Sequence, residues 1–424
     1  MTQDGGESAP RLPLTGVRVL DASTVLAGPT IAQMLGDFGA DVIKVEHPKG
    51  DSLRAFGYDK DGVSLYWKLV NRNKRCITLN FSTSEGQELI KKLVAGADVL
   101  IENFRPGTME RWGLGYDRLS AINPRLVMVR VTGFGQTGPL AEQPGFGTIA
   151  EAMSGFAHIN GDADGPPTLP PVGLGDTIAA HYGTYATLCA LYERDAQQSQ
   201  RGQVVDLSIY EPMFAACGYQ ATLFDQVGKI QRRMGNKSAA NAPRGVYQTR
   251  DGRWVALSAA TASVTRRVLL LTGGPQVADD PRFQTGSGRR QHSDELDRIV
   301  GAWIAARSLD EVLAAFAEVQ AAAGPVLDIE QIMEHPHFQA RQDIICVADG
   351  ELGTVRMQNV FPFLSRTPGV VRHAGMPMAA PTAPSCKRAR GACQAPPRCL
   401  PRPHPHPPPG GRVSQCSARP GRRR

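Results

Sequence analysis

The chain has 424 residues, 42% of them hydrophobic, and carries a formal charge of +7. That length suits two domains with a sizeable core, and no apolar run approaches the roughly 20 residues of a membrane span. The charge does not indicate a nucleic-acid partner: His373 to Arg424 holds one Lys, nine Arg and no acid, so this tail is +10 and the remaining body is +7 minus +10, or −3, and a mildly acidic body is no general ligand for a polyanion.

Met1 to Pro13 is polar and contains Asp4 and Glu7. It lacks the basic start and apolar stretch of a secretory signal, so the cytoplasm is the expected compartment and residues 1–13 a flexible N-terminus. Val17 to Asp21 then reads as a strand, Gly28 to Gly39 as a helix ending at glycine, and Asp41 to Glu46 as a second strand. Cys76 to Phe81 reads as a strand followed by a helix from Glu85 to Ala95; Asp98 to Glu102 and Leu126 to Val131 are apolar runs of strand length. Strands alternating with helices predict right-handed βαβ units, an α/β fold with a mostly parallel sheet.

Thr177 to Arg194 predicts a long helix and Val204 to Ile209 a strand. Pro243 to Ser258, with Asp251-Gly252 at its centre, predicts a β-hairpin. Asp294 to Ala323 is helical and amphipathic, with Leu296, Ile299, Val300 and Trp303 in register. The expected organisation is a large domain over 14–224, a smaller domain over 225–330, a return to the large domain over 331–375, and a tail over 376–424. The tail is rich in Pro, Arg, Cys and His, buries too little apolar surface to order itself, and is expected to be disordered.

Several site signatures are missing. No G-x-G-x-x-G follows the first strand, no phosphate loop or G-x-S-x-G elbow is present, and no Cys pair has C-x-x-C spacing. His292, His335 and His337 are too irregularly placed for a metal set, so no metal is expected, and the cysteines read as reduced thiols. The informative motif is Gly173-Leu174-Gly175-Asp176-Thr177. Two glycines allow a tight turn, and Asp176 falls where a helix should begin. Such a carboxylate is either an N-cap or a nucleophile; in the second case the helix dipole would keep it ionised and nearby N–H groups could receive an oxyanion.

Longer stretches decide between these. Asp21 to Pro29 (Asp-Ala-Ser-Thr-Val-Leu-Ala-Gly-Pro) and Leu35 to Glu46 resemble the opening of the class III CoA-transferase family, which includes formyl-CoA:oxalate and carnitine CoA-transferases and α-methylacyl-CoA racemase. Asn71 to Arg75, Glu102 to Gly107, Gly133 to Pro139, Gly324-Pro325-Val326 and His335 to Phe338 with Arg341 also fit, so the resemblance runs from about Leu14 to Pro368. It implies a Rossmann-like large domain with a smaller α+β domain, two chains interlocked as a homodimer, and no permanently bound cofactor. The substrates it implies are a CoA thioester and a carboxylic acid, with succinyl-CoA a family habit as donor. Asp176 matches the family's catalytic aspartate. Leu26 and Ala27 match positions near the thioester; His47, Leu79, Asn103, Phe104, Arg105 and Arg111 match positions around the nucleotide, and a guanidinium at Arg111 suits a pyrophosphate.

The departures also inform. Leu26 stands where the oxalate enzyme has glutamine, and Phe146-Gly147 where it has tyrosine and glutamate, which argues for another acid. The family's racemases carry a His-Asp pair at Phe146-Gly147, and their chemistry needs an acid and a base on opposite faces of the α-carbon. Ser258-Ala259-Ala260-Thr261 occupies the place of a glycine-rich loop. The expectation is a CoA transferase working through an aspartyl anhydride and an aspartyl-CoA thioester; a racemase of the same fold and a CoA-binding protein without turnover are the alternatives.

Overall fold

The structure is a computed structural model that describes residues 11–378. Most of the expected N-terminal segment 1–13, and the expected tail from 379 onward, lie outside the described residues.

Six strands form one parallel sheet: β1 (Arg18–Asp21), β2 (Asp41–Glu46), β3 (Lys74–Thr78), β4 (Val99–Glu102), β5 (Val127–Thr132) and β6 (Val204–Ser208), in the order β3-β2-β1-β4-β5-β6. Both faces are covered by helices, which is why the central strands β4 and β5 are mostly apolar. Val19, Val99, Ile101, Val127 and Val129 turn to one face, against Ile31 and Leu35 of α1 (Ala27–Asp37). Leu20, Leu100 and Met128 turn to the other, against Ile90 and Val94 of a second helix, Ser84–Val94. The long helix Leu174–Ala196 joins the first face through Ala179, Ala180 and Leu191. It can lie close to α1 because residue 183 is glycine: a Cβ there would fall 2.4 Å from Ile31 Cδ1 and 2.8 Å from Leu207 Cδ2.

Three of the expected elements need correction. The strand expected at Cys76–Phe81 begins at Lys74, because Lys74 pairs with Val42 and buries its amine instead of marking a solvated end. The long helix begins at Leu174, so Asp176 is its third residue and Gly173 its N-cap. The helical stretch Asp294–Ala323 is two helices, Ser293–Ala305 and Leu309–Glu318, followed by a strand. A capping box of Ser308 and Glu311 starts the second helix, and Gln320, at φ 52°, lies beyond its end.

The hairpin is as expected: β7 (Arg244–Gln248) and β8 (Trp254–Ser258) pair antiparallel, and β9 (Ala322–Pro325) adds to the free edge of β8. Val255 and Leu257 pack on Val300, Ile304, Val312 and Phe316 in a separate core. The chain then forms a second hairpin, β10 (Ile344–Asp349) and β11 (Gly353–Gln358). Fully buried Lys68 ties it down, with its Nζ 2.7 Å from Asp349, 2.6 Å from Glu351 and 3.0 Å from the Gly375 carbonyl. The following segment stays attached as far as Met376, whose carbonyl accepts from Trp67 Nε1 at 2.8 Å and Arg54 Nη1 at 3.3 Å. Cys76, Cys189 and Cys217 are free thiols, but Cys346 is disulfide-bonded, against the reading of reduced cysteines. Among the described residues no helix is long and apolar enough to cross a membrane.

Candidate active site

The strand order reverses between β1 and β4, and in open parallel sheets the crevice at the carboxyl ends beside such a reversal is where ligands bind. Here the crevice is bounded by the loop from Asp21 to Leu26 and by the residues after Glu102. Asn103 ties the two: its Oδ1 accepts from the Thr24 N–H at 2.8 Å and its Nδ2 donates to the Thr24 carbonyl at 2.8 Å.

A buried ion network holds the first loop from below. Lys74 Nζ lies 2.8 Å from Asp21 Oδ2 and 2.7 Å from the Pro29 carbonyl. Lys44 Nζ lies 2.9 Å from Asp51 Oδ2 and donates to the Ser23 carbonyl. Asp51 in turn accepts from the Val25 N–H at 3.3 Å. Val25 sits at φ 66°, a left-handed conformation that a β-branched residue adopts only when its surroundings impose it. The strain falls one residue before Leu26 and Ala27, both buried at the start of α1.

The residues expected around a nucleotide line the same carboxyl edge. His47 follows β2 and Leu79 follows β3, where the Leu79 N–H donates to the Glu46 carbonyl at 2.8 Å. Phe104 follows β4 and packs edge-on against Trp112, ring centroids 5.1 Å apart. Arg105 and Arg111 are exposed, and Arg111 donates to Thr108 Oγ1 at 2.8 Å.

Asp176 stands at a different part of the cleft, beside Leu26: a Cβ on Gly173 would lie 3.0 Å from Leu26 Cδ1 and 3.7 Å from Asp176 Oδ2. The first turn of the long helix meets a short helix, Gly147–Met153. Gly147 presses directly on the carboxylate; a Cβ there would fall 2.3 Å from Asp176 Oδ2. One turn later, buried Glu151 accepts the Gly175 N–H at 2.9 Å through Oε1. The helix start is thus capped by Glu151 and not by Asp176, which leaves the Asp176 carboxylate for other chemistry.

The electrostatics also differ from expectation. Burial first, and then the charge of Glu151, push the Asp176 carboxyl up from 3.8 to about 6, although the Gly147 amide pulls it down. The helix dipole therefore does not hold this carboxylate at an ordinary value, because desolvation and a like charge outweigh it. At pH 7 such a group is still about nine-tenths ionised. Tyr66 is half-buried nearby, its phenol pushed up by burial and by Asp176. Sequence reading missed Glu151 and Tyr66: neither sits in a motif of its own, and a lone Glu in a helical stretch reads as a solvated face.

The model of the family described as "CoA-transferase family III" matches residues 14–380. Succinyl-CoA–D-citramalate CoA-transferase of Chloroflexus aurantiacus is 44% identical, covering 86% of this chain and 91% of its own. Succinate–glutarate CoA-transferase of Agrobacterium fabrum is 36% identical, covering 78% and 84%. Among solved structures, a CAIB/BAIF family protein from Brucella suis superposes with a TM-score of 0.75 at 33% identity, covering 87% of this chain and 97% of its own.

Proposed function

Because the chain belongs to CoA-transferase family III, whose enzymes move CoA between an acyl-CoA and a carboxylic acid, we propose that Asp176 is the covalent nucleophile of that transfer. The carboxylate attacks the thioester carbonyl and expels CoA thiolate, leaving a mixed anhydride. The thiolate attacks the aspartyl carbonyl, which releases the donor acid and leaves an aspartyl-CoA thioester. The acceptor carboxylate runs the same two steps in reverse. Each step exchanges one activated acyl bond for another, so the transfer needs no other energy source.

One observation carries this reading: a buried, largely ionised carboxylate in the first turn of a helix, relieved of the capping role by Glu151. Leu26 and Ala27 border the thioester. His47, Leu79, Asn103, Phe104, Arg105 and Arg111 receive the nucleotide end, with the two exposed guanidinium groups suited to phosphate. Succinyl-CoA is the proposed donor and a short dicarboxylic acid the acceptor, in keeping with the names of the relatives. Racemisation at a 2-methylacyl-CoA is disfavoured, since neither Phe146 nor Gly147 can carry a proton. A homodimer accounts for Tyr182, Tyr185, Leu188 and Tyr192, which lie 40–66% exposed along the long helix.

The test is chemical trapping. Incubation with succinyl-CoA followed by hydroxylamine should leave a hydroxamate on the peptide containing Asp176. A label on any other residue overturns the assignment.

A further inference from the structure

Glu151 is 3% exposed, and among the described residues no Lys or Arg is within ion-pair distance of it. A buried carboxylate without a counter-cation is costly, and placing it beside a second carboxylate is costlier still. Its hydrogen bond does not explain it. Accepting the Gly175 N–H needs only an oxygen, which glutamine would supply without charge. The charge has one visible effect, and that is on Asp176.

The short helix Gly147–Met153 meets the first turn of the long helix at two points. Gly147 touches the Asp176 carboxylate, and four residues later Glu151 bonds Gly175, the residue before it. Of the titratable and charged groups, Glu151 faces Asp176 from this helix and Tyr66 from the helix Leu65–Val70; no cation intervenes among the described residues. We propose that Glu151 is a positioning residue for the reaction: it fixes the turn that carries Asp176 and, by charge repulsion, raises the energy of the ionised nucleophile.

The chemistry gives that repulsion a use. When Asp176 attacks, a bond forms from its carboxylate oxygen to the acyl carbon and the carbon–sulfur bond breaks, so the electron pair leaves on CoA sulfur. The negative charge moves from Asp176 to the departing thiolate, and the repulsion with Glu151 is relieved as the bond forms. Repulsion that is present before attack and absent after it lowers the barrier.

This inference rests on Asp176 being the nucleophile, and the experiment separates the two. Single-turnover formation of the aspartyl adduct from succinyl-CoA is followed from pH 4.5 to 8.5 in wild type, Glu151→Gln and Asp176→Asn. Wild type should show an acid limb near the value of about 6. Glu151→Gln keeps the oxygen for Gly175 and removes the charge. Its limb should fall, while burial keeps it above the ordinary carboxylate range, so that at pH 5 it keeps a two- to threefold larger share of its own plateau, on the order expected when one like charge is removed. Its plateau should drop roughly three- to tenfold as the relief is lost. An unmoved limb in Glu151→Gln, with Asp176→Asn inactive, sinks the role of Glu151 and leaves Asp176 standing. An active Asp176→Asn sinks the nucleophile itself. Should Glu151→Gln not fold, a wild-type limb below about pH 5 overturns the inference without any variant.

Discussion

Replacing Asp176 by Asn has a stability consequence whose sign separates two accounts of this residue. As an N-cap, Asp176 would lose at most about 1 kcal/mol on becoming Asn, with little dependence on pH. The structure gives the opposite sign. The folded carboxyl is raised from 3.8 to about 6, by burial and then by Glu151. Below pH 3.8 it is protonated in both states and costs nothing. As pH rises from 3.8 to about 6, the unfolded chain releases its proton first and wild type loses stability; above that range the cost is constant at roughly 3 kcal/mol. Asn carries no such cost. The Asn variant should therefore match wild type at acid pH and exceed it at pH 8, with about 2 kcal/mol of the gap opening between pH 4.5 and pH 8. Urea unfolding of both proteins at the two pH values measures this, since carboxylates elsewhere cancel in the difference. Transfer by the variant should fall by several orders of magnitude, because an amide cannot form the anhydride. A variant that is less stable at both pH values by the same amount would refute the reasoning and restore the cap.

Two further outcomes can be checked. Gly147→Ala brings a Cβ to 2.3 Å from Asp176 Oδ2, so the carboxylate must move by about 1 Å, enough to slow transfer on the order of a hundredfold; in an Asp176→Ala background the same change should be neutral or stabilising by up to about 1 kcal/mol, since alanine favours the helix, and equal destabilisation in both backgrounds would contradict the contact. With Cys346 kept reduced in every protein, a chain ending at Gly375 lacks the carbonyl that Trp67 and Arg54 share in a chain ending at Met378, and should be about 2 kcal/mol less stable than that longer chain in urea unfolding.

Local sequence determined a good deal. Val19-Leu20, Val99 to Ile101 and Val127 to Val129 are apolar on both alternations, which requires a strand covered on two faces, and the interleaved helices require the sheet to be parallel. Gly173 to Thr177 marked a helix start, and the resemblance picked out the candidate ligand residues; Leu79 was expected inside a strand, and the structure sets it with His47 and Asn103 just after successive strands, along one carboxyl edge. What local pattern could not carry is which distant groups share an enclosed space. Nothing local to Lys44 or Lys74 shows that both are fully buried around Asp21 and hold the loop in which Val25 is strained. Glu151 is one acid on a short helix in sequence terms. Only the packing of that helix against the first turn of Leu174–Ala196 sets it beside Asp176. The proton affinity of the nucleophile follows from desolvation and from the distance between charges, and both are properties of the assembled fold, since Glu151 and Asp176, 25 positions apart, acquire a common dielectric surrounding only when the chain closes around them.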